Sequence, residues 1–158
     1  MRTRTLWSYL YLTAGLGLIT AIYAGLETLD PSLRSSCTIS SFFSCAAVDS
    51  SGRTSTLGVP DGVIGIVGFL VILILAAYAE RHSDDLRLFY ALLFFTTGGV
   101  AFAAYFLYVE LVEIGALCPV CTTAYVFGIL AWIGAIALTL KMRRRAARRQ
   151  AKAAVATA

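Results

Sequence analysis

Cys118-Pro119-Val120-Cys121 sets two thiols three residues apart at the mouth of an apolar run that continues to Leu140. A C-x-x-C pair at a helix start suits thiol–disulfide exchange. Proline is tolerated in the first helical turn, where its missing N–H would lack an intrahelical acceptor anyway. The helix N-terminus carries partial positive charge, which favours thiolate, the attacking species in exchange. The spacing puts both sulfurs on one helix face, close enough to bridge. The other two cysteines, Cys37 and Cys45, lie in the one long polar segment between apolar runs. If they close a small mobile loop, one sulfur can meet a soluble partner and the other can meet Cys118. Read this way, the four cysteines form a relay carrying two electrons from partner to loop to helix, with Cys121 handing them to a molecule dissolved in the membrane.

Other uses of four cysteines compete with this one. Two permanent disulfides would make a non-catalytic membrane scaffold, although a C-x-x-C bridge on a helix is a strained and easily reduced staple. Two cysteine pairs are a legitimate zinc ligand count, but the seven-residue gap between Cys37 and Cys45 is wider than ordinary zinc spacing. A c-type haem attachment requires His after the second cysteine, where this chain has Thr122. The expectation is a redox site without metal.

The elements that position these cysteines follow from composition. Of 158 residues 59% are hydrophobic and only 14% charged, with a mean hydropathy of +0.79; soluble domains are nearer about a quarter charged. Four apolar runs span 6–26, 60–79, 88–109 and 117–140. Each is about 20 residues or more, enough at about 1.5 Å per residue to cross a hydrocarbon core of about 30 Å. Strands would leave open edges in lipid, so helices are expected. The predicted fold is an all-α membrane protein: a four-transmembrane-helix domain over residues 1–140, whose loop 27–59 carries a cysteine pair, and a basic tail over 141–158. A cleaved signal peptide is the alternative for the first run, which follows Arg2 and Arg4. The run is longer than a usual signal core and lacks a clear A-x-A site, so a retained helix is expected.

Charge placement predicts orientation. Eleven of the 13 Lys and Arg residues fall on one side of these runs: Arg2, Arg4, Arg81, Arg87 and seven from Lys141 onward. Only Arg34 and Arg53 fall on the other, with the acidic connector holding Glu110 and Glu113. The positive-inside rule then assigns both termini and the 80–87 turn to the cytoplasm of a multi-pass plasma-membrane protein, and every cysteine to the extracytoplasmic face, where disulfides persist. The basic tail, directly after an apolar helix, reads as an anchor on anionic lipid and not as a nucleic-acid site.

The remaining polar residues narrow the chemistry. Residues 63–79, 88–109 and 114–140 contain no Asp, Glu, Lys, Arg or His, which argues against a pump or ion-coupled carrier. Asp61, Thr122, Thr123 and Tyr125 sit near the ends close to Cys121, where hydroxyl and carboxyl groups can bond the carbonyls of a quinone ring. Gly65, Gly68, Gly98 and Gly99 read mainly as points of close helix approach, with access for a cofactor the lesser reading. Residues 58–62 read as a turn, Trp7 as an anchor at the membrane boundary, and His82 as a surface residue. Phe42 and Phe43 either dip into the membrane interface with Cys45 or cover the bundle.

At these residues the chain resembles the vitamin K epoxide reductase family in its short prokaryotic form. The resemblance covers about residues 6–140. It rests on the order of Cys37-x7-Cys45, Ser50-Ser51-Gly52, Pro60-Asp61-Gly62-Val63-Ile64-Gly65 and Cys118-Pro119-Val120-Cys121-Thr122-Thr123-Ala124-Tyr125. It implies a four-helix membrane enzyme that exchanges thiol electrons with a quinone of menaquinone, ubiquinone or vitamin K type. Cys118 and Cys121 would be the active pair, with Cys121 facing the quinone; Cys45 would exchange with Cys118, and Cys37 would meet the partner. Ser51 resembles a serine that packs near the active cysteines, and Tyr125 a tyrosine that bonds a quinone carbonyl. Asp61 stands where the family often has Asn; it must be protonated to donate to a quinone oxygen, or else it caps the helix. The implied partner is an extracytoplasmic thioredoxin-like or DsbA-like protein acting in trans, and the implied direction is oxidation of its thiols with reduction of the quinone. The bacterial disulfide-bond oxidases also combine four helices with two cysteine pairs, but their C-x-x-C lies in the first outer loop.

Overall fold

Apolar runs must satisfy their backbone internally in lipid, and all four become helices. In the computed structural model these are α1 (Thr3–Glu27), α3 (Asp61–Arg81), α4 (Leu86–Tyr108) and α5 (Pro119–Ala156). The segment between α1 and α3 holds a short helix, α2 (Cys45–Ser50), and a two-residue antiparallel pair, β1 (Ser55–Thr56) with β2 (Val59–Pro60). A π-helical turn, Val109–Ile114, continues α4. The structure describes residues 3–30, 32–33, 37–51, 55–56 and 59–156; Arg2, Arg34, Gly52, Arg53 and Gly58 lie outside them. Among the described residues, four helices are long and apolar enough to cross a membrane.

Local chemistry sets the helix ends. Asp85 Oδ1 accepts the Arg87 N–H at 2.9 Å and caps α4. Pro119 is the first residue of α5, as its missing donor allows. Gly115, at φ 71°, ends the π-helical turn in the left-handed conformation that glycine adopts without steric penalty.

The helices form a ring in the order α1, α3, α4, α5. Contacts are richest where α1 meets α5 and α3, and sparsest among neighbours between α3 and α4. Leu10, Ala14, Ala76, Phe89, Leu92, Ala131, Ala135 and Leu138 are completely buried in one core. Alanine and glycine let the backbones close in: a Cβ on Gly62 would stand 2.7 Å from the Gly25 nitrogen, and one on Gly17 would strike the Phe69 ring. Outward, Leu12, Ile19, Ile74 and Phe94 are 63–75% exposed, a belt that lipid covers.

Three expectations change. Trp7 is a core residue, packed between Tyr11 and Phe89 with ring centroids about 6 Å away, because α1 is flanked by neighbours on both sides. Gly65 does meet a neighbour, Ala21 Cβ at 3.3 Å from its built Cβ, but Gly68, Gly98 and Gly99 face open space. The basic stretch is no separate tail: α5 runs unbroken for 38 residues, about 57 Å and nearly twice a hydrocarbon core of about 30 Å. Arg145 donates to Thr3 Oγ1 at 2.6 Å, and Arg149 pairs with Asp84 in the α3–α4 turn. Both chain ends therefore share one end of the bundle, the basic end; the cysteines occupy the other.

Candidate active site

At the cysteine end a second buried cluster gathers Cys37, Cys45, Val48, Ala116, Cys118 and Cys121. Backbone hydrogen bonds set its register. Leu117 N–H donates to Phe42 O at 2.7 Å and Ser44 N–H to Leu117 O at 3.2 Å, laying the loop alongside the start of α5. Phe42 and Phe43 stay about half exposed on this strip and stack edge to face. Ser44 caps α2 by accepting the Ala47 N–H at 3.1 Å, which puts Cys45 at the first helical position, directly over Cys118. Upstream, the Ser32 hydroxyl and N–H both donate to Asp30 at the exit of α1 and hold its carboxyl below the usual range.

Cys37 and Cys45 form a disulfide with Cα atoms 5.7 Å apart, while Cys118 and Cys121 are free thiols. Cys45 Sγ lies 3.3 Å from Cys118 Sγ, so the two pairs touch. The Cys121 N–H points at Cys118 Sγ at 3.2 Å, and this amide at the helix start stabilises negative charge on that sulfur. Cys121 Sγ points the other way, toward Asp61 Oδ2 at 3.9 Å.

Two buried carboxyls complete the site, and sequence reasoning assigned neither of them a role. Glu110, placed beforehand in a polar connector, is fully buried. Its Oε2 accepts the Cys118 N–H at 3.1 Å and its Oε1 accepts the Tyr125 hydroxyl at 2.9 Å. Its backbone carbonyl takes the N–H groups of Gly115 and Ala116, locking the wide π turn that carries it inward. Glu27, the last residue of α1, is 4% exposed. One of its carboxylate oxygens and the sulfurs of Cys37, Cys45 and Cys118 all lie within 4.8 Å of one another. The available signal was that each acidic residue sits at the edge of an apolar run, where burying it is costly unless it has work to do.

Below the cysteines, a cavity of about 330 Å³ opens on the loosely packed side between α3 and α4. Gly68, Gly98 and Gly99 leave it empty of side chains, Phe102 and Phe106 supply aromatic walls, and Asp61, Cys121 and Tyr125 line it as well. Its surface is almost wholly apolar. Asp61 and Tyr125 thus reach the wall, with the tyrosine hydroxyl turned to Glu110. Thr123 and Ser51 are not brought there: their hydroxyls bond Pro119 O and Val48 O, at 2.8 and 2.7 Å, and both residues are exposed.

A model of the Vitamin K epoxide reductase family matches residues 8–147, which include all four cysteines, Asp61 and both buried glutamates. The chain belongs to the vitamin K epoxide reductase family. It is thus a membrane oxidoreductase of thiols and disulfides, in a family whose electron partners are quinones. A comparison with individual curated proteins finds no match.

Proposed function

We propose that this family member passes electrons from a thioredoxin-like partner through Cys37 and Cys45 to Cys118 and Cys121, and then to a membrane quinone. The observation that carries the reading is the 3.3 Å contact between Cys45 and Cys118, with Cys121 on the cavity wall. A disulfide in the loop beside free thiols on α5 is the charged state of such a relay, with electrons already delivered to the inner pair. Discharge forms the Cys118–Cys121 bond, breaks two S–H bonds, and sends two electrons and two protons to the two quinone oxygens.

The cavity suits a quinone ring. It falls within the usual volume range of ligand sites and is apolar, with few polar groups. Asp61 exchanges a proton with Cys121 across their 3.9 Å contact. Tyr125 bonds a quinone carbonyl by turning from Glu110, which meanwhile keeps the Cys118 N–H oriented. With eleven of the 13 Lys and Arg residues in the sequence segments that flank the basic end, that end is the cytoplasmic one and the cysteines are extracytoplasmic. Residues 1–140 form the catalytic domain, and the basic end of α5 extends past the inner lipid surface, where its Lys and Arg side chains meet anionic headgroups.

The test is quinone-dependent oxidation of a reduced thioredoxin-like protein by wild type and Cys121→Ala. The variant is expected to fall to background; retained activity would remove Cys121 as electron donor. A non-catalytic scaffold is distinguished by alkylation: quinone protects the cysteines after mild reduction in a relay and has no effect in a scaffold.

A further inference from the structure

Each sulfur of the relay has a carboxyl nearby, and the three carboxyls stand in different relations to them. Asp61 faces Cys121, and Glu110 reaches Cys118 through its backbone N–H. Glu27 presents one oxygen to Cys37, Cys45 and Cys118 together, the three sulfurs among which a bond must move when the pairs exchange. All four of these residues are less than 9% exposed. Exchange there releases thiolates out of reach of bulk water, where an unpaired charge is costly. A carboxylate within reach lets a proton move in place of an accumulating charge.

We propose that Glu27 is the acid–base catalyst of disulfide transfer between the two cysteine pairs, a step that rests on the relay reading above. Transfer starts with Cys37 and Cys45 as thiols, Cys118–Cys121 as the disulfide and Glu27 ionised. The Cys45 thiol gives its proton to Glu27, and its thiolate attacks Cys118. The Cys45–Cys118 bond forms, the Cys118–Cys121 bond breaks, and Cys121 leaves as thiolate beside Asp61. Cys37 then attacks Cys45, the Cys37–Cys45 bond forms, and Cys118 leaves. Glu27 returns its proton to Cys118 and takes the one released by Cys37. Two electrons have passed from the loop pair to the α5 pair. One proton rests on Cys118 and one on Glu27, and the negative charge that Glu27 held at the start lies on the Cys121–Asp61 couple.

The experiment is a single turnover of the full chain, reduced at all four cysteines and mixed with one equivalent of menadione. Acid quenching, alkylation and mass spectrometry then report which pair is oxidised. In wild type, oxidation of Cys118–Cys121 is followed by rapid appearance of the Cys37–Cys45 disulfide. In Glu27→Gln the ratio of transfer rate to quinone rate falls about 100-fold or more, and protein with Cys118–Cys121 oxidised accumulates. An unchanged ratio overturns the role of Glu27 and leaves the relay standing. A wild type whose disulfide never leaves Cys118–Cys121 overturns the relay, and this step with it. Should Glu27→Gln lose both phases through misfolding, Glu27→Ala is assayed with and without formate. Transfer restored by formate supports a proton-carrying carboxyl; transfer that formate does not restore overturns it.

Discussion

The bundle contains two buried clusters made of different materials. Toward the basic end, Leu10, Phe89, Leu92 and Leu138 interlock with alanines of α1, α3 and α5, and dispersion and shape hold them. At the cysteine end the buried groups are four sulfurs, small side chains and the carboxyls of Glu27 and Glu110. Cross-strip backbone hydrogen bonds, one disulfide and the Glu110 bridge hold that end together. The first cluster has one good arrangement. The second has bonds that can be exchanged for others of similar energy, which a site that moves a disulfide requires. Stability and chemistry are thus separated along the bundle axis, and the small-residue contact of α1 with α3 joins them.

Substitutions that touch one cluster alone test this division. Cys121→Ser should have the largest effect, taking quinone-dependent thiol oxidation to background in a steady-state assay while the thermal melt stays close to wild type. Gly62→Ala should damage both clusters. Its Cβ meets rigid backbone at Gly25 and Ala24, so α3 must shift, at about 1–3 kcal/mol, and carry Asp61 away from Cys121; turnover and melting temperature should fall together. Glu110→Ala should lower turnover and raise KM for the quinone more than Glu110→Gln does. The alanine strands two donors, at about 1–3 kcal/mol each, whereas the amide oxygen still accepts one. Leu92→Ala should act on stability alone. It should lose about 2 kcal/mol, the low end for buried leucine because lipid is as apolar as leucine, with unchanged turnover per folded molecule. Asp84→Asn should change neither quantity measurably, since its pairing with Arg149 is exposed on both sides. A Leu92→Ala enzyme that loses turnover would show that the two ends are not separate, and a Glu110→Ala enzyme that keeps it would remove Glu110 from the chemistry of the cysteine end.

Much of this was legible in the chain. Four apolar runs of membrane length, one of them with a single acidic residue at its start, leave helices as the one way to satisfy the backbone in lipid, and the boundaries fell within a few residues of those read, apart from the far end of α5. The C-x-x-C at a helix start fixed which thiols stand where the helix field helps a thiolate. What failed shares one cause: the sequence does not say what a given helix face meets. Trp7 looked like a lipid anchor because it lies near a run's end, yet α1 has neighbours there. Gly68, Gly98 and Gly99 read as contacts, but between loosely packed helices an absent side chain makes a cavity. Thr123 and Ser51 carry suitable hydroxyls, which the adjacent backbone takes.

The sequence by itself determined the four spans, the side on which cationic residues concentrate, and the spacing of each cysteine pair, because length, charge and local helix geometry depend on neighbouring residues alone. Only the tertiary structure decided that Cys45 touches Cys118 across 73 positions, that Glu110 bridges Cys118 and Tyr125, and that Glu27 reaches three sulfurs. Those meetings depend on how α1, the loop and α5 pack, and in particular on the hydrogen bonds that lay Phe42–Ser44 beside Leu117.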